Sequence, residues 1–247
     1  MNSKTVKEYG FNAGASVVGI AASKDFGLAP EGFKPTDVLK GCLSVIILGV
    51  PIPQEAIMGS QIGFVDVRNA TNEKINDVAK DLTKQIIRNG YNAKAIGGLG
   101  SKWVDNNGRK ESFGHISLKH AAELAGLGII GKNYLLTNPQ YGNLLWFSAV
   151  LTDAELIPDE KIQYSICNDC NKCIEICPSK ALDNPDLFGK KNCEGIMFKK
   201  VNNKWEIMCN LCRKVCPNRF GTTSNITTDN SKTMNNKKGN TIITTKN

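Results

Sequence analysis

Eight of the nine cysteines fall between residues 167 and 217, and their spacing restricts what this chain can fold into more than any other feature. They run Cys167-x2-Cys170-x2-Cys173-x3-Cys177-Pro178, then Cys193 alone, then Cys209-x2-Cys212-x3-Cys216-Pro217. Three thiolates two residues apart wrap one face of an iron-sulfur cubane, because a tight turn between them aims successive sulfurs at different irons. The fourth, before proline, is carried away to the other cluster. That logic gives Cys167, Cys170, Cys173 and Cys216 to one [4Fe-4S] cluster, and Cys177, Cys193, Cys209 and Cys212 to a second. Cys193 departs from a plain repeat, since fifteen residues separate it from Cys209. Structural zinc also uses Cys-x2-Cys pairs, but it gives no reason for two Cys-Pro endings. Disulfides need an oxidising compartment.

The chain has 247 residues, enough for one large domain or two modest ones. The expected division is an α/β cofactor or substrate domain over 1–158, a double [4Fe-4S] ferredoxin-like domain over 159–220, and a disordered polar tail over 221–247. That tail is nearly all Thr, Asn, Lys, Ser and Gly, too little apolar surface to offset its ordering entropy. The N-terminus lacks the apolar run of a signal peptide and no stretch has the length of a membrane span, so the expectation is a cytoplasmic protein with reduced thiols and no membrane partner. The net charge of +8 invites a nucleic-acid reading. Two clusters at roughly −2 each would halve it, and the tail holds four Lys against one Asp. Charge therefore does not support tRNA as a partner, although tRNA stays open. Lys190, Lys191, Lys199, Lys200 and Lys204 form a local basic group, read as a solvated or docking face around the clusters.

Within the first domain, residues 16–22 and 44–50 are apolar, β-branched runs suited to buried strands, the second stopped by Pro51 and Pro53. Cys42, just ahead of that second strand, reads as a small core residue with no ligand role. Residues 69–89 carry helical periodicity through Ile75, Val78, Ala79, Leu82 and Ile86, with Gly90 as the stop. Residues 91–96 read as a strand, and 97–108, with Trp103 and Asp105, as a loop. Ser117 caps a helix over 117–125 whose buried face holds Leu118, Ala121, Ala122 and Ala125. Residues 134–137 and 144–152 read as strands around a turn at 138–142.

Gly126-Leu127-Gly128-Ile129-Ile130-Gly131 matches the Gly-x-Gly-x-x-Gly dinucleotide pattern. That fingerprint needs a strand before it and a helix opening from it. Here it follows a helix and precedes a strand, so a Rossmann site is rejected. What remains is a stretch of backbone with few side chains, able to approach something flat or bulky closely.

Residues 122–133, Ala-Glu-Leu-Ala-Gly-Leu-Gly-Ile-Ile-Gly-Lys-Asn, resemble the signature of the epoxyqueuosine reductase family and its reductive dehalogenase relatives. So do Asn138-Pro139-x-Tyr141-Gly142, Thr152-Asp153, Gly32-Phe33-Lys34-Pro35 and the cysteine order with one isolated Cys. The resemblance covers roughly residues 5 to 218. It implies a nitroreductase-like, corrinoid-binding-type α/β domain, with cobalamin beside Gly126, Gly128, Gly131, Lys132 and Asn133, fed electrons by two [4Fe-4S] clusters from an external low-potential donor. The substrate would be a small molecule or a modified nucleoside. Two departures stand out. Counting thirteen residues back from the Ala-Gly-Leu-Gly motif, where the family has its catalytic Asp, lands here on Ser112. The family's C-terminal helical repeats are replaced by the polar tail.

With no Asp in that position, the candidates for a catalytic acid are His115, Lys119, His120 and Tyr134. Each also has a plain reading: a loop residue, two residues on the solvated side of a helix, and a packed strand residue. The expected function is an iron-sulfur reductase. The alternative is a ferredoxin-like electron-transfer protein whose α/β domain docks a partner and holds no second cofactor.

Overall fold

The computed structural model describes residues 1–99, 102–106, 109–163, 165–167, 169–184, 189–201, 204–207 and 209–221; the expected polar tail lies outside the described residues from 222 onward. In chain order the elements are α1 (Ser3–Asn12), β1 (Val17–Ala22), α2 (Pro35–Val38), β2 (Ser44–Pro51), α3 (Gln54–Met58), α4 (Gln61–Arg88), β3 (Ala93–Ile96), β4 (Lys102–Asn106), β5 (Arg109–Phe113) and α5 (Leu118–Leu124). There follow β6 (Ile129–Ile130), β7 (Leu136–Thr137), β8 (Leu145–Thr152), α6 (Lys172–Glu175), α7 (Lys190–Met197), β9 (Phe198–Val201), β10 (Lys204–Ile207) and α8 (Leu211–Val215).

A mixed α/β architecture is built on an antiparallel sheet of order β1-β2-β8-β3. Strand β2 reads as an unbroken apolar run because both of its faces are covered. Val45 and Ile47 point into one core with Ala121, Ala122, Ala125 and Leu127, while Ile46, Leu48 and Val50 point into another with Val6, Ile75, Val78 and Leu82. Period-two alternation thus sends neighbouring residues to opposite layers. Ile46, Ile47 and Leu48 are fully buried, each contributing about 1.5–3 kcal/mol of hydrophobic stabilisation. Helices α1 and α4 form one outer layer, and α5 with the β6–β7 region forms the other.

Helix α4 begins earlier than periodicity predicts, at Gln61, with Ser60 as a cap accepting from the Gly63 N–H at 3.2 Å. Its first turns bury Arg68, Thr71 and Asn72 alongside Phe64 and Val65, so polar side chains interrupt the apolar stripe there. The expected loop at 97–108 is corrected by the structure: Trp103 and Asp105 lie in β4, which pairs with β5 so that Asn106 faces Arg109. The Phe113 ring at the end of β5 meets Phe33 edge to face at 5.8 Å, which seats the hairpin on the Gly32-Phe33 loop.

Helix α5 stops as its sequence requires. Gly126 takes φ +68°, the Leu127 N–H donates to Ala122 O (2.9 Å) and the Gly126 N–H to Glu123 O (3.1 Å), a Schellman closure. Ser117 sits at the expected cap position, but its hydroxyl is bonded to His120 Nδ1 (2.6 Å) and makes no capping bond. The strand expected at 134–137 is shorter, because Tyr134 has φ +56° and only Leu136–Thr137 pair, with β6. Past β8 the chain is tied down by Asp159, which pairs with Lys7 and accepts from the Ile20 N–H at 2.8 Å.

Candidate metal centre and adjoining pocket

The two cysteine motifs fold alike. Each places an Asn at the helix N-cap, Asn171 and Asn210, and a short helix, α6 or α8, that carries the middle cysteine, Cys173 or Cys212. The same register then puts Ile174 after one cysteine and Arg213 after the other.

All eight cysteines of the motifs are buried or half-buried, with none paired in a disulfide. Burial pushes Cys173 up, and so do the nearby charges of Cys167, Cys216 and Cys170. Cys216 is raised by burial and again by Cys167 and Cys170. Cys193 is pushed up to about 11 by burial, then by Cys177 and Cys209. Cys212 is pushed up to about 12, chiefly by burial and further by Cys193, Cys209 and Cys173, with Arg213 opposing. Cys177 is the exception: burial raises it, but hydrogen bonds from Ser179 and the 179–182 backbone carry it below the ordinary thiol value. The sulfurs thus sense one another as 167/170/173/216 and 177/193/209/212, and Cys173 with Cys212 link the sets. Among the described residues no group of three or more His, Cys, Asp or Glu side chains is placed to hold a metal ion.

Beside these sulfurs, α5, the 134–136 segment and the start of β8 enclose a pocket of about 170 Å³. Its walls include Lys119, Tyr134, Asn143, Trp146, Phe147 and Arg213. Lys119 is not on a solvated helix side as expected. It is half-buried, donates to Tyr134 O at 3.1 Å, and holds its Nζ 5.0 Å from the centre of the Tyr134 ring. Burial lowers its pKa, with Glu123 opposing. Tyr134, expected as a packed strand residue, stands at the wall in the left-handed conformation and touches the cluster lobe. The two histidines are not in the pocket lining. His115 is half-buried ahead of α5, and His120 is exposed and turned back on Ser117.

The glycine run makes its close approaches to the chain itself. A Cβ on Gly126 would sit 2.3 Å from Glu160 O, one on Gly128 2.5 Å from Thr137 O, and one on Gly131 3.1 Å from Cys167 Sγ. The Lys132 N–H donates to Cys167 Sγ at 3.4 Å, and Asn133 Nδ2 donates to Cys212 O at 3.4 Å. Gly131, Lys132 and Asn133 therefore cradle the cysteine lobe, and none of the five lines the pocket.

Sequence reasoning missed Arg68, Asn143, Trp146 and Arg213. Arg213 is half-buried with its Nη1 sealed and lacking an acceptor, and burial brings its pKa down to about 10 against the pull of Cys212 and Cys216. Its replacement of an apolar residue in the repeat, Ile174 against Arg213, is the signal that could have found it.

No protein-family model matches the chain. It is 31% identical over 145 residues to the epoxyqueuosine reductase of Atelocyanobacterium thalassa, which covers 51% of this chain and 47% of that protein. It is 28% identical over 200 residues to the epoxyqueuosine reductase of Cyclobacterium marinum, covering 75% and 62%. The chain thus spans about half to under two thirds of the length of these relatives. The fold matches an epoxyqueuosine reductase crystallised with an epoxyqueuosine-modified tRNA-Tyr stem loop, with TM-score 0.57, 19% identity, and 87% of this chain against 64% of that one. It also matches a reductive dehalogenase described as acting by B12-dependent dehalogenation, with TM-score 0.55, 21% identity, and 72% against 25%. The chain is related in sequence to epoxyqueuosine reductases and shares its fold with both groups.

Proposed function

We propose that this chain is an iron-sulfur oxidoreductase in which two [4Fe-4S] clusters pass single electrons to an organic molecule held at the pocket of Lys119, Tyr134 and Trp146. One cluster is assigned to Cys167, Cys170, Cys173 and Cys216, the other to Cys177, Cys193, Cys209 and Cys212. What supports the reading is the cysteine spacing, together with the mutual charge effects that group Cys173 and Cys216 with Cys167 and Cys170, and Cys193 and Cys212 with Cys209.

The donor atoms fit such clusters. Sulfurs whose thiolates are disfavoured by burial and by one another need a cationic core to be stable as a group, and iron supplies it. A peptide N–H on a ligating sulfur, as Lys132 gives Cys167, is a usual way of tuning a cluster. When bound, the clusters supply one-electron transfer at low potential. Arg213, beside Cys212 and Cys216, favours the reduced charge on both.

Cobalamin, implied by the resemblance, does not fit inside the described walls. About 170 Å³ is below the roughly 300–1,000 Å³ of sites that take drug-sized ligands, and a corrin ring is larger than those ligands. No step is therefore assigned to cobalt. A two-electron reduction, its electrons drawn from an external low-potential donor through the clusters, takes up one or two protons according to the bond broken, and Lys119 stands where one can be given. Enclosure disfavours its ammonium, so it releases a proton more readily than a solvated lysine. Trp146, Phe147 and the leucines give part of the wall an apolar lining, which strengthens charge interactions beside it. By the same volume a whole modified nucleoside, the class named by the relatives, exceeds these walls, so a small organic molecule is the first substrate class to try.

The test is anaerobic reconstitution with iron and sulfide. The expected result is about eight irons per chain with both clusters reducible. Cobalamin offered to that protein and retained with a shifted absorbance spectrum would make a corrinoid the acceptor. Reducible clusters without retention of cobalamin or flavin, and without turnover, would favour an electron carrier that docks a partner. Zinc, or far fewer irons, overturns the proposal.

A further inference from the structure

A second group of polar side chains lies between α4 and β8, behind the pocket. Asn72 and Asn76 stand one turn apart on α4, facing Trp146 and Ser148 at alternate positions of β8. The Trp146 indole N–H donates to Asn72 Oδ1 at 3.0 Å, while Ser148 Oγ (2.6 Å) and the Gly98 N–H (3.0 Å) both donate to Asn76 Oδ1. Thr71 is satisfied on its own helix, its hydroxyl donating to Val67 O at 2.7 Å. The acceptors of this strip are thereby occupied.

Arg68, one turn before Asn72, is the member left over. Its side chain is 7% exposed, its Nε is sealed without an acceptor, and its guanidinium carbon lies 5.5 Å from the centre of the Trp146 ring. Burial alone lowers its pKa, with no carboxylate opposing. A guanidinium is built for bidentate pairing with oxyanions, and an enclosed charge without a counter-ion is strongly unfavourable. Stacking on an aromatic face offsets only part of that. Meanwhile Trp146 is oriented by Asn72 and also lines the pocket.

We propose that Arg68, backed by the Trp146 ring, is a binding site for an oxyanion, a phosphate or carboxylate group. Trp146 also lines the neighbouring pocket while Arg68 does not, so the anion site needs neither the pocket nor a cluster.

The experiment measures the melting temperature of the anaerobically purified protein, at constant ionic strength, as chloride is exchanged for inorganic phosphate or for acetate. A ligand that binds only the folded state raises stability with its concentration. The expected result is a saturable rise with one of the two anions, which identifies the group. That rise should disappear in Arg68→Met and occur at tenfold or higher concentration in Arg68→Lys, which keeps a charge but loses the fork. Without anion, Arg68→Met should melt at or above the wild-type temperature, because an unpaired charge has been removed. A wild type that responds to neither anion, a response that survives in Arg68→Met, or an Arg68→Met protein that melts lower without anion and keeps the same response, overturns the site. Iron content measured on the same samples separates the two ideas. Arg68-dependent anion binding in protein without clusters keeps the site and removes the reductase reading.

Discussion

At the scale of single residues, Lys119 joins the pocket to a measurable pH dependence. Burial depresses its folded pKa below the ordinary 10.5. Between the folded value and the unfolded one the unfolded chain therefore binds more protons, so stability rises with pH across that window and the penalty is full below it. Lys119→Met should remove this alkaline gain in unfolding experiments without lowering stability at neutral pH. If Lys119 gives the proton, the same change should lower kcat by roughly 10²-fold. A large stability loss at neutral pH with unchanged turnover would make the residue structural. Of the four acids considered from sequence, Lys119 and Tyr134 reach the wall and the two histidines do not. Residue type was legible, but side-chain direction was not, since it depends on which helix face meets the sheet. Arg68 stayed hidden for the converse reason: nothing local distinguishes an enclosed arginine from a solvated one.

At the scale of elements, hydrophobic periodicity found β2, β8 and the second half of α4, where apolar faces meet apolar layers. It failed over the first turns of α4 because the face buried there is Arg68, Thr71 and Asn72. The β4–β5 hairpin had a signal that composition obscured. Asn107-Gly108 lies between the paired residues Asn106 and Arg109, and Asn-Gly is the strongest short hairpin cue. The turn at 138–142 was legible, and its role lies in what it touches. Gly142 has φ +58°, and a Cβ there would sit 2.1 Å from Arg219 O and 2.2 Å from Arg219 C, in backbone just beyond the second Cys-Pro. The Asn143 N–H also donates to Arg219 O at 3.2 Å. Gly142→Ala should therefore destabilise by about 2–4 kcal/mol, read from denaturant midpoints. Gly27→Ala, where a Cβ meets nothing within 4 Å, should change stability by less than about 0.5 kcal/mol.

At the scale of the whole molecule, the proposed assignment has Cys216 and Cys177 each join the cysteines of the other motif. If the assignment holds, Cys216→Ala should remove about four irons, those of the cluster on Cys167, Cys170 and Cys173, and spare the other. Unchanged iron, or loss of the cluster on Cys193 and Cys209 alone, would show the crossing to be wrong. No helix among the described residues is long and apolar enough to cross a membrane. By itself the sequence determined the cluster ligands to test, the central strands and the helix stop at Gly126, because each follows from spacing, burial period or local backbone chemistry within a few residues. Only the tertiary structure decided that the glycine run cradles a cysteine, that Lys119 faces a pocket with Trp146 and Arg213, and that Arg68 has no counter-ion among the described residues. Those facts depend on which surfaces pack together across 27 to 94 residues of chain, and a local pattern carries no record of its distant partner.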